Sequence, residues 1–450
     1  MGKLFGTDGV RGVANLELTP ELAFQLGRAG SYVLARHEAS KRPRILVGKD
    51  TRISGDMLEA ALIAGICSTG ADVLMVGILP TPAVAFLTQR YQASCGVVIS
   101  ASHNPLEDNG IKFFGPSGYK LPDELEEEIE ELVLAGTQEL QRPQGEDVGR
   151  VYLVAEARNN YLDYLISCYS LDRNLAGITV VVDCANGAAY STGPELWSRL
   201  GAQVIAINNY PNGVNINERC GSTYTEGLRR AVVEHKADIG IAYDGDADRC
   251  IVVDERGNEL DGDHIIMICA LDMNSRGELN PPLVAATVMS NIGLDIALRR
   301  ENIQVAGCKV GDRYVLEKMK ESGALLGGEQ SGHIIFLEHA TTGDGLLTSL
   351  KVAEVLRRSG LTLSELARGL EKRPQLLVNL RMENKDKILA HPLVQEALKQ
   401  AEERLGEWGK LVVRPSGTEP VVRIMAQGPE QYLLEEVIAE IKQSIERAQA

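Results

Sequence analysis

Short apolar runs rich in Val and Ile alternate along this chain with stretches whose apolar residues recur every three or four positions. The runs predict strands and the stretches predict amphipathic helices. Their alternation predicts parallel βαβ units. The pattern occurs three times. The first copy places strands at 44–48, 71–77 and 96–100, with a helix near 57–70. The second places strands at 178–183, 202–207 and 239–243, with a helix over 194–201. The third places strands at 283–287, 303–306 and 324–326, with one helix near 294–300 and a further one after 306. In each copy the third strand runs into a polar loop, and another apolar run follows, at 110–114, 250–254 and 333–337. Ligands of open α/β sheets bind beyond the carboxyl ends of the strands. The three loops are therefore expected to be three walls of one cleft.

From about 374 the pattern changes to strand (376–380), helix (394–405), two strands (411–413 and 421–426) and helix (432–448). The expected fold class is α/β, with three similar mixed α/β domains and a smaller C-terminal α+β domain around a central cleft. The expected boundaries are 1–154, 155–256, 257–370 and 371–450. Four units suit 450 residues, since domains usually run about 100–200. The glutamate-rich stretch 124–131 is expected to be a solvated helix face.

Charge narrows the partners. Lys and Arg number 46 against 62 Asp and Glu, a formal net charge of −16. This balance argues against nucleic acid or an anionic membrane as a general partner. If the ligand is itself anionic, the cations that bind it must be gathered locally. The eight cysteines form no C-x-x-C pair and mostly sit in apolar stretches. They read as buried free thiols, not zinc ligands or disulfides, which suits a reducing cytosol. The N-terminus has no apolar signal core, and Gly6 stands where a myristoylation site wants Ser or Thr. No apolar run approaches the ~20 residues that span a bilayer. A cytoplasmic protein without a membrane partner is expected.

Candidate chemistry lies in the loops. The first is Ser100-Ala-Ser-His-Asn-Pro105. Its residues form ordinary turns, or they make Ser102 a nucleophile, which needs a base or a cation to attack well. No G-x-S-x-G elbow surrounds it, so acyl transfer is disfavoured. The second is Asp244-Gly-Asp-Ala-Asp-Arg249. Three carboxylates at alternate positions can converge on one hard cation. An EF-hand is excluded, because the sixth position is Arg249 rather than Gly and an apolar strand follows. Oxygen ligands without His or Cys favour Mg²⁺ over zinc. The third is Gly327-Gly-Glu-Gln-Ser-Gly-His333. Glu329 and Ser331 can hydrogen-bond adjacent sugar hydroxyls, and His333 reads equally as a ligand contact or a structural histidine. The last is Arg414-Pro-Ser-Gly-Thr418, with Arg423 on the next strand. It is either a plain hairpin turn or an anion nest strengthened by bidentate arginine. Cations thus stand inside or beside the polar loops of an acidic chain: Arg11, Lys112, Arg249, Lys309, Arg313, Arg414 and Arg423.

These four loops, in this order, together with Phe5-Gly-Thr-Asp-Gly-Val-Arg-Gly12, resemble the α-D-phosphohexomutase superfamily over essentially the whole chain. The stretches Asn212–Cys220, Thr287–Gly293 and Val310–Tyr314 resemble its branch acting on glucosamine phosphates. The resemblance implies that Ser102 carries a phosphoryl group. It implies one Mg²⁺ per subunit, held by Asp244, Asp246 and Asp248 with an oxygen of the phosphoserine. The implied reaction converts glucosamine 6-phosphate to glucosamine 1-phosphate through a 1,6-bisphosphate and feeds UDP-N-acetylglucosamine synthesis. In that scheme Arg249 adds charge at Ser102, and Lys112, Arg11 and His103 stabilise the transfer or move the hydroxyl proton. Glu329, Ser331, His333, Lys309 and Arg313 would bind substrate. Arg414, Ser416, Gly417, Thr418 and Arg423 would grip the phosphate that does not react. The last domain would then move as the intermediate turns around. A homodimer is compatible with the resemblance, though nothing in the sequence demands one. The competing readings are a phosphoglucomutase or phosphomannomutase with the same chemistry, an aspartyl-nucleophile phosphatase using Asp244 and Asp246, and a non-catalytic sugar-phosphate sensor.

Overall fold

The computed structural model describes residues 4–6, 8–36, 42–171, 175–382, 384–415 and 421–449. Their strands form sheets of seven, five, four and three members. The first three sheets repeat one arrangement. Arg44–Lys49 lies between Asp72–Ile78 and Cys95–Ile99, parallel to both, and Asp108–Phe114 returns antiparallel beside Cys95–Ile99. In the second sheet Thr179–Asp183 takes the central place, flanked by Gln203–Ile207 and Ile239–Tyr243, and Cys250–Asp254 returns. In the third, Leu283–Thr287 lies between Gln304–Cys308 and Leu326–Gly328, and Ile334–Phe336 returns. The middle strands are apolar on both faces because helices cover both, which is why they read as unbroken hydrophobic runs. In every copy the reversal from the third strand to the fourth carries the polar loop.

The first sheet is larger than the pattern predicted. Gly9–Val13 adds antiparallel to Asp108–Phe114, and Val151–Leu153 adds parallel to Asp72–Ile78. The glutamate-rich stretch lies in the helix Asp123–Ala135, but its face is not wholly solvated. Glu130 is buried, and its carboxylate accepts the backbone N–H groups of Leu4 (2.7 Å) and Phe5 (3.1 Å).

One apolar interior runs through all three α/β units, from Leu46 and Tyr161 through Ile241 to Leu350 and Leu370. The far face of the first sheet has its own, where helices Pro20–Arg36 and Ser54–Cys67 cross. They meet at Gly27 and Gly65. A Cβ at Gly65 would come within 2.2 Å of the Phe24 carbonyl oxygen on the facing helix. Backbone cannot yield there, so Gly65→Ala is expected to cost about 1–3 kcal/mol. A lowered thermal midpoint with unchanged spectra checks this, and an unchanged midpoint would contradict it.

The last sheet is antiparallel, with Val421–Gln427 between Gln375–Arg381 and Lys410–Pro415. Helices Pro392–Leu405 and Gln431–Gln449 complete a separate interior around Val394, Ile424, Val437 and Ile441. This unit leans on the third sheet through Ser290–Ile292. The Ile292 N–H donates to Gln427 Oε1 (2.6 Å), and Lys410 Nζ donates to the Ser290 carbonyl (3.1 Å). Asn291 holds both the N–H and the carbonyl of Arg373 at the junction (2.9 and 3.0 Å).

Candidate functional site

Ser102 follows the strand Cys95–Ile99 in the left-handed backbone region, with φ 53°. For a residue with a Cβ this costs about 1–3 kcal/mol and persists only where surroundings enforce it. Ser102 is 2% exposed. Its hydroxyl donates to Asp244 Oδ2 (2.6 Å) and lies 3.3 Å from His103 Nδ1. The nucleophile candidate of one domain thus touches the carboxylate loop of the next.

Asp244, Asp246 and Asp248 are all buried, and one oxygen of each lies within 4.8 Å of the others. Oδ1 of Asp246 and Oδ1 of Asp248 are buried without a hydrogen-bond donor. Burial, then the Asp248 and Asp246 carboxylates, pushes Asp244 well above the usual carboxylate range. Burial also pushes Asp248 up, but His333, Lys112 and Arg249 outweigh it and hold that group below its usual range. Converging carboxylate oxygens with two orphaned lone-pair sites fit a hard divalent cation of the Mg²⁺ or Ca²⁺ kind, and no thiolate or imidazole is among them.

Cations frame this cluster. Lys112 Nζ sits 2.9 Å from both Asp246 Oδ2 and Asp8 Oδ2. Burial disfavours its charge, but Asp246 and Asp8 overcome that and keep the ammonium protonated well above its ordinary range. Asp8 also pairs with Arg11 and Lys120, and Lys120 reaches across to Asp312 in the third domain (2.5 Å). Thr81 Oγ1, opening the helix Thr81–Arg90, donates to Asp246 Oδ2 (2.7 Å). Asp8, Thr81, Lys120 and Asp312 were not expected from the sequence. Each takes a partner far along the chain, Lys112 for Asp8, Asp246 for Thr81, and Lys120 and Asp312 for each other, which no local pattern announces.

Above the carboxylates opens a cleft of about 640 Å³. Ser102, His103, Arg11, Asp248 and Arg249 line one side, and Glu329, Ser331 and His333 the other. The loops interlock. Cys250 N–H donates to the Gly332 carbonyl (3.0 Å), and Arg249 and His333 form an antiparallel bridge. Burial, then Arg249 and Arg11, pushes the His103 imidazole down to about 4, so it is neutral near pH 7. His333 is pulled two ways. Burial lowers its pKa, whereas Asp248, Asp312 and Glu329 draw it up to about 9. Yet Gly343 N–H donates to His333 Nε2 (3.0 Å), which keeps a lone pair there and leaves Nδ1–H facing Asp248 at 3.5 Å. A cation on Asp248 would cancel the largest of those pulls, which favours the neutral ring.

Some expected residues stand apart from the cleft. Lys309 lies 5.6 Å from the centroid of the Tyr314 ring, and Arg313 pairs with Asp123 and Glu317. Neither lines the cavity. Arg414 and Arg423 are register partners on adjacent strands of the last domain, and they too are not among its lining residues. Ser416, Gly417 and Thr418 lie outside the described residues. A larger cavity, about 800 Å³, lies elsewhere between Phe86, Tyr164 and His339. Of the expected site residues it contains none.

Comparison with known proteins agrees with this layout. Family models described as phosphoglucomutase/phosphomannomutase alpha/beta/alpha domains I, II and III match residues 2–140, 159–257 and 261–373. The model of the C-terminal domain matches 377–444. The chain is 99% identical over 450 residues to a phosphoglucosamine mutase of Syntrophomonas wolfei, covering 100% of both. It is 55% identical over 438 residues to a phosphoglucosamine mutase of Desulforamulus reducens, covering 97% of this chain and 98% of the relative. Among solved structures, a phosphoglucomutase/phosphomannomutase family protein of Burkholderia thailandensis shares the fold, with TM-score 0.82 and 24% identity over 100% of this chain and 98% of its own. An N-acetylphosphoglucosamine mutase of Aspergillus fumigatus, solved with GlcNAc-6P and magnesium, has TM-score 0.68 and 17% identity, covering 100% of this chain and 96% of that one. On sequence and fold together, the chain belongs to the phosphoglucomutase/phosphomannomutase family, within its group of phosphoglucosamine mutases.

Proposed function

We propose that this protein interconverts glucosamine 6-phosphate and glucosamine 1-phosphate, with Ser102 as the phosphoryl carrier. The observation that carries the reading is the Ser102 hydroxyl, 2.6 Å from a buried triad of aspartates at the floor of a three-walled cleft. Identity of 99% to a phosphoglucosamine mutase supports the choice of sugar. Asp244, Asp246 and Asp248 would hold Mg²⁺ together with an oxygen of the phosphoserine. Bound there, the cation neutralises charge on the transferring group.

The rest falls to the chain. A sugar hydroxyl oxygen bonds to phosphorus as the bond from phosphorus to Ser102 Oγ breaks. The hydroxyl's proton must leave, and Ser102 Oγ must gain one. His103 suits this relay, being neutral and 3.3 Å from Oγ. Lys112 does not, because two carboxylates keep it cationic; it and Arg11 serve as fixed positive charge. Transfer of this kind needs positioning and charge more than covalent help. Repeating the step in reverse at the other end of the bisphosphate completes the isomerisation. Glu329 and Ser331 would bind sugar hydroxyls. His333 braces Asp248, and Arg249 lends charge beside Ser102. The turn after Arg414, with Arg423, would hold the idle phosphate. Eight free thiols suit a reducing cytoplasm. No helix among the described residues is long and apolar enough to cross a membrane.

The sugar is tested by turnover of glucosamine 6-phosphate against glucose 6-phosphate. A kcat/KM ratio of about tenfold or more toward the amino sugar is expected. A preference for glucose 6-phosphate would favour a phosphoglucomutase with the same chemistry.

A further inference from the structure

The turn Asp50-Thr-Arg-Ile53 follows the strand Arg44–Lys49 of the first sheet and lines no part of the cleft. Its residues alternate in the partners they take. Asp50 and Arg52 hold the serine loop, while Thr51 and Ile53 hold the second domain. Thr51 Oγ1 donates to the Asn186 carbonyl (2.6 Å), and Ile53 N–H donates to the Gly213 carbonyl (2.8 Å). Arg52 is buried, and its guanidinium finds five acceptors in and beneath one loop. Nε donates to Asp50 Oδ2 (3.0 Å). One terminal nitrogen donates to the carbonyls of Pro105 and Asp108, the other to those of Ser102 (3.1 Å) and Asn104 (2.7 Å). A guanidinium has five N–H groups, so this one has none to spare for a ligand. Asp50 also accepts Ser100 Oγ (2.6 Å), and that oxygen accepts the Ser102 N–H (2.9 Å).

Asn217 closes the clamp from the second domain. Its Nδ2 donates to the same two carbonyls, Ser102 (2.9 Å) and Asn104 (3.2 Å). Gly245 of the aspartate loop packs against the same point, where a Cβ would come within 2.4 Å of the Ser102 carbonyl oxygen. In a left-handed residue the direction of the side chain depends on where the flanking peptide groups are held. Here the carbonyl of Ser102 is held by donors from two domains, and its hydroxyl points to a carboxylate of the second.

We infer that Asn217, acting with Arg52, is a positioning residue for the phosphoryl transfer: an interdomain clamp on the serine's own carbonyl that keeps Oγ over the three aspartates. This gives a task to the stretch Asn212–Cys220, and it rests on the reading of Ser102 as phosphoryl carrier.

Two substitutions test it in the full-length enzyme with Mg²⁺. Asn217 has φ 58°, so Asn217→Gly keeps its backbone and removes only the amide. Asn217→Asp keeps the shape but faces two carbonyl oxygens with a carboxylate. The readout is a single-turnover rate constant starting from phosphorylated enzyme, which does not depend on the fraction of active protein. It is expected to fall on the order of tenfold to a hundredfold in Asn217→Gly and further in Asn217→Asp, with KM for the sugar phosphate within about twofold. Rate constants equal to the parent's in both variants, or a loss confined to KM, would overturn the clamp. The mass of the unaltered enzyme is measured alongside. If it never carries phosphate on Ser102, the carrier reading falls and the clamp with it. If it does, the variants decide the clamp alone.

Discussion

Replacing Ser102 with Ala is expected to leave a folded protein whose mutase turnover drops by on the order of 10⁴-fold or more, to the background of a coupled assay. Among the described residues no neighbouring hydroxyl is placed to stand in, and Thr81 Oγ1 is committed to Asp246 Oδ2. Ser100 Oγ is committed to Asp50 and to the Ser102 N–H, and Ser331 stands on the opposite wall of the cleft. The structural cost is modest: Asp244 Oδ1 still accepts the Arg249 N–H (3.1 Å), and the substitution removes one donor from Asp244 Oδ2. Leaving that oxygen short of a partner costs about 1–3 kcal/mol. Intact-mass analysis gives the second half of the test, since the phosphate adduct of the parent should vanish in the variant. An aspartyl-nucleophile phosphatase would be spared by this change. Activity within about tenfold of the parent would remove the phosphoserine from the scheme.

The second large effect concerns the aspartates, and its signs for activity and stability differ. Asp244→Asn is expected to lower turnover by about a hundredfold to a thousandfold, as expected when one preorganised electrostatic contact to the transferring group is lost. Cation-free protein should nonetheless melt no lower than the cation-free parent. Burial, Asp248 and Asp246 raise the pKa of Asp244 in the folded state. Near pH 7 the unfolded chain ionises this group freely, whereas the folded chain must protonate it or bear the repulsion. A neutral amide relieves that penalty. The parent gains from Mg²⁺ by mass action, about 2.7 kcal/mol when the ion stands at a hundred times its Kd. The variant should lose most of that gain. Chelation should stop the parent's turnover, and added Mg²⁺ should restore it. Full turnover after exhaustive chelation, or a variant still stabilised by Mg²⁺ as strongly as the parent, would rule out a cation at these carboxylates.

Much of this was legible because the relevant signals are local. Runs such as Val180–Val182 and Ile239–Tyr243 are apolar on both faces and end abruptly in polar residues, so strand and loop announce each other. The aspartates announce themselves by spacing. Other features leave no such trace. Phe5–Gly6 and Gly9–Val13 are short and glycine-rich; Gly9–Val13 adds to the edge that Asp108–Phe114 offers, and Phe5–Gly6 pairs in turn with Gly9–Val13. Helix Gly345–Ser359 buries Thr348, Ser349 and Glu354 together with its apolar residues, so no clean periodicity marks it. Arg52 looks like any surface arginine until five acceptors close around it. The proposed choice of His103 over Lys112 as proton carrier rests on Asp8, more than a hundred positions from Lys112, being placed beside it.

The three α/β units share one apolar interior, whereas the C-terminal unit has its own. Among the described residues, drift in the tail needs compensating changes in the body chiefly where Ser290–Ile292 touch Gln427, Lys410 and Arg373 and where Lys372 pairs with Asp261. Evolution can treat the tail as an exchangeable cartridge. If the tail holds the idle phosphate as proposed, tails traded between relatives would retune which ester is held, and among the described residues a graft would need repair chiefly along that seam.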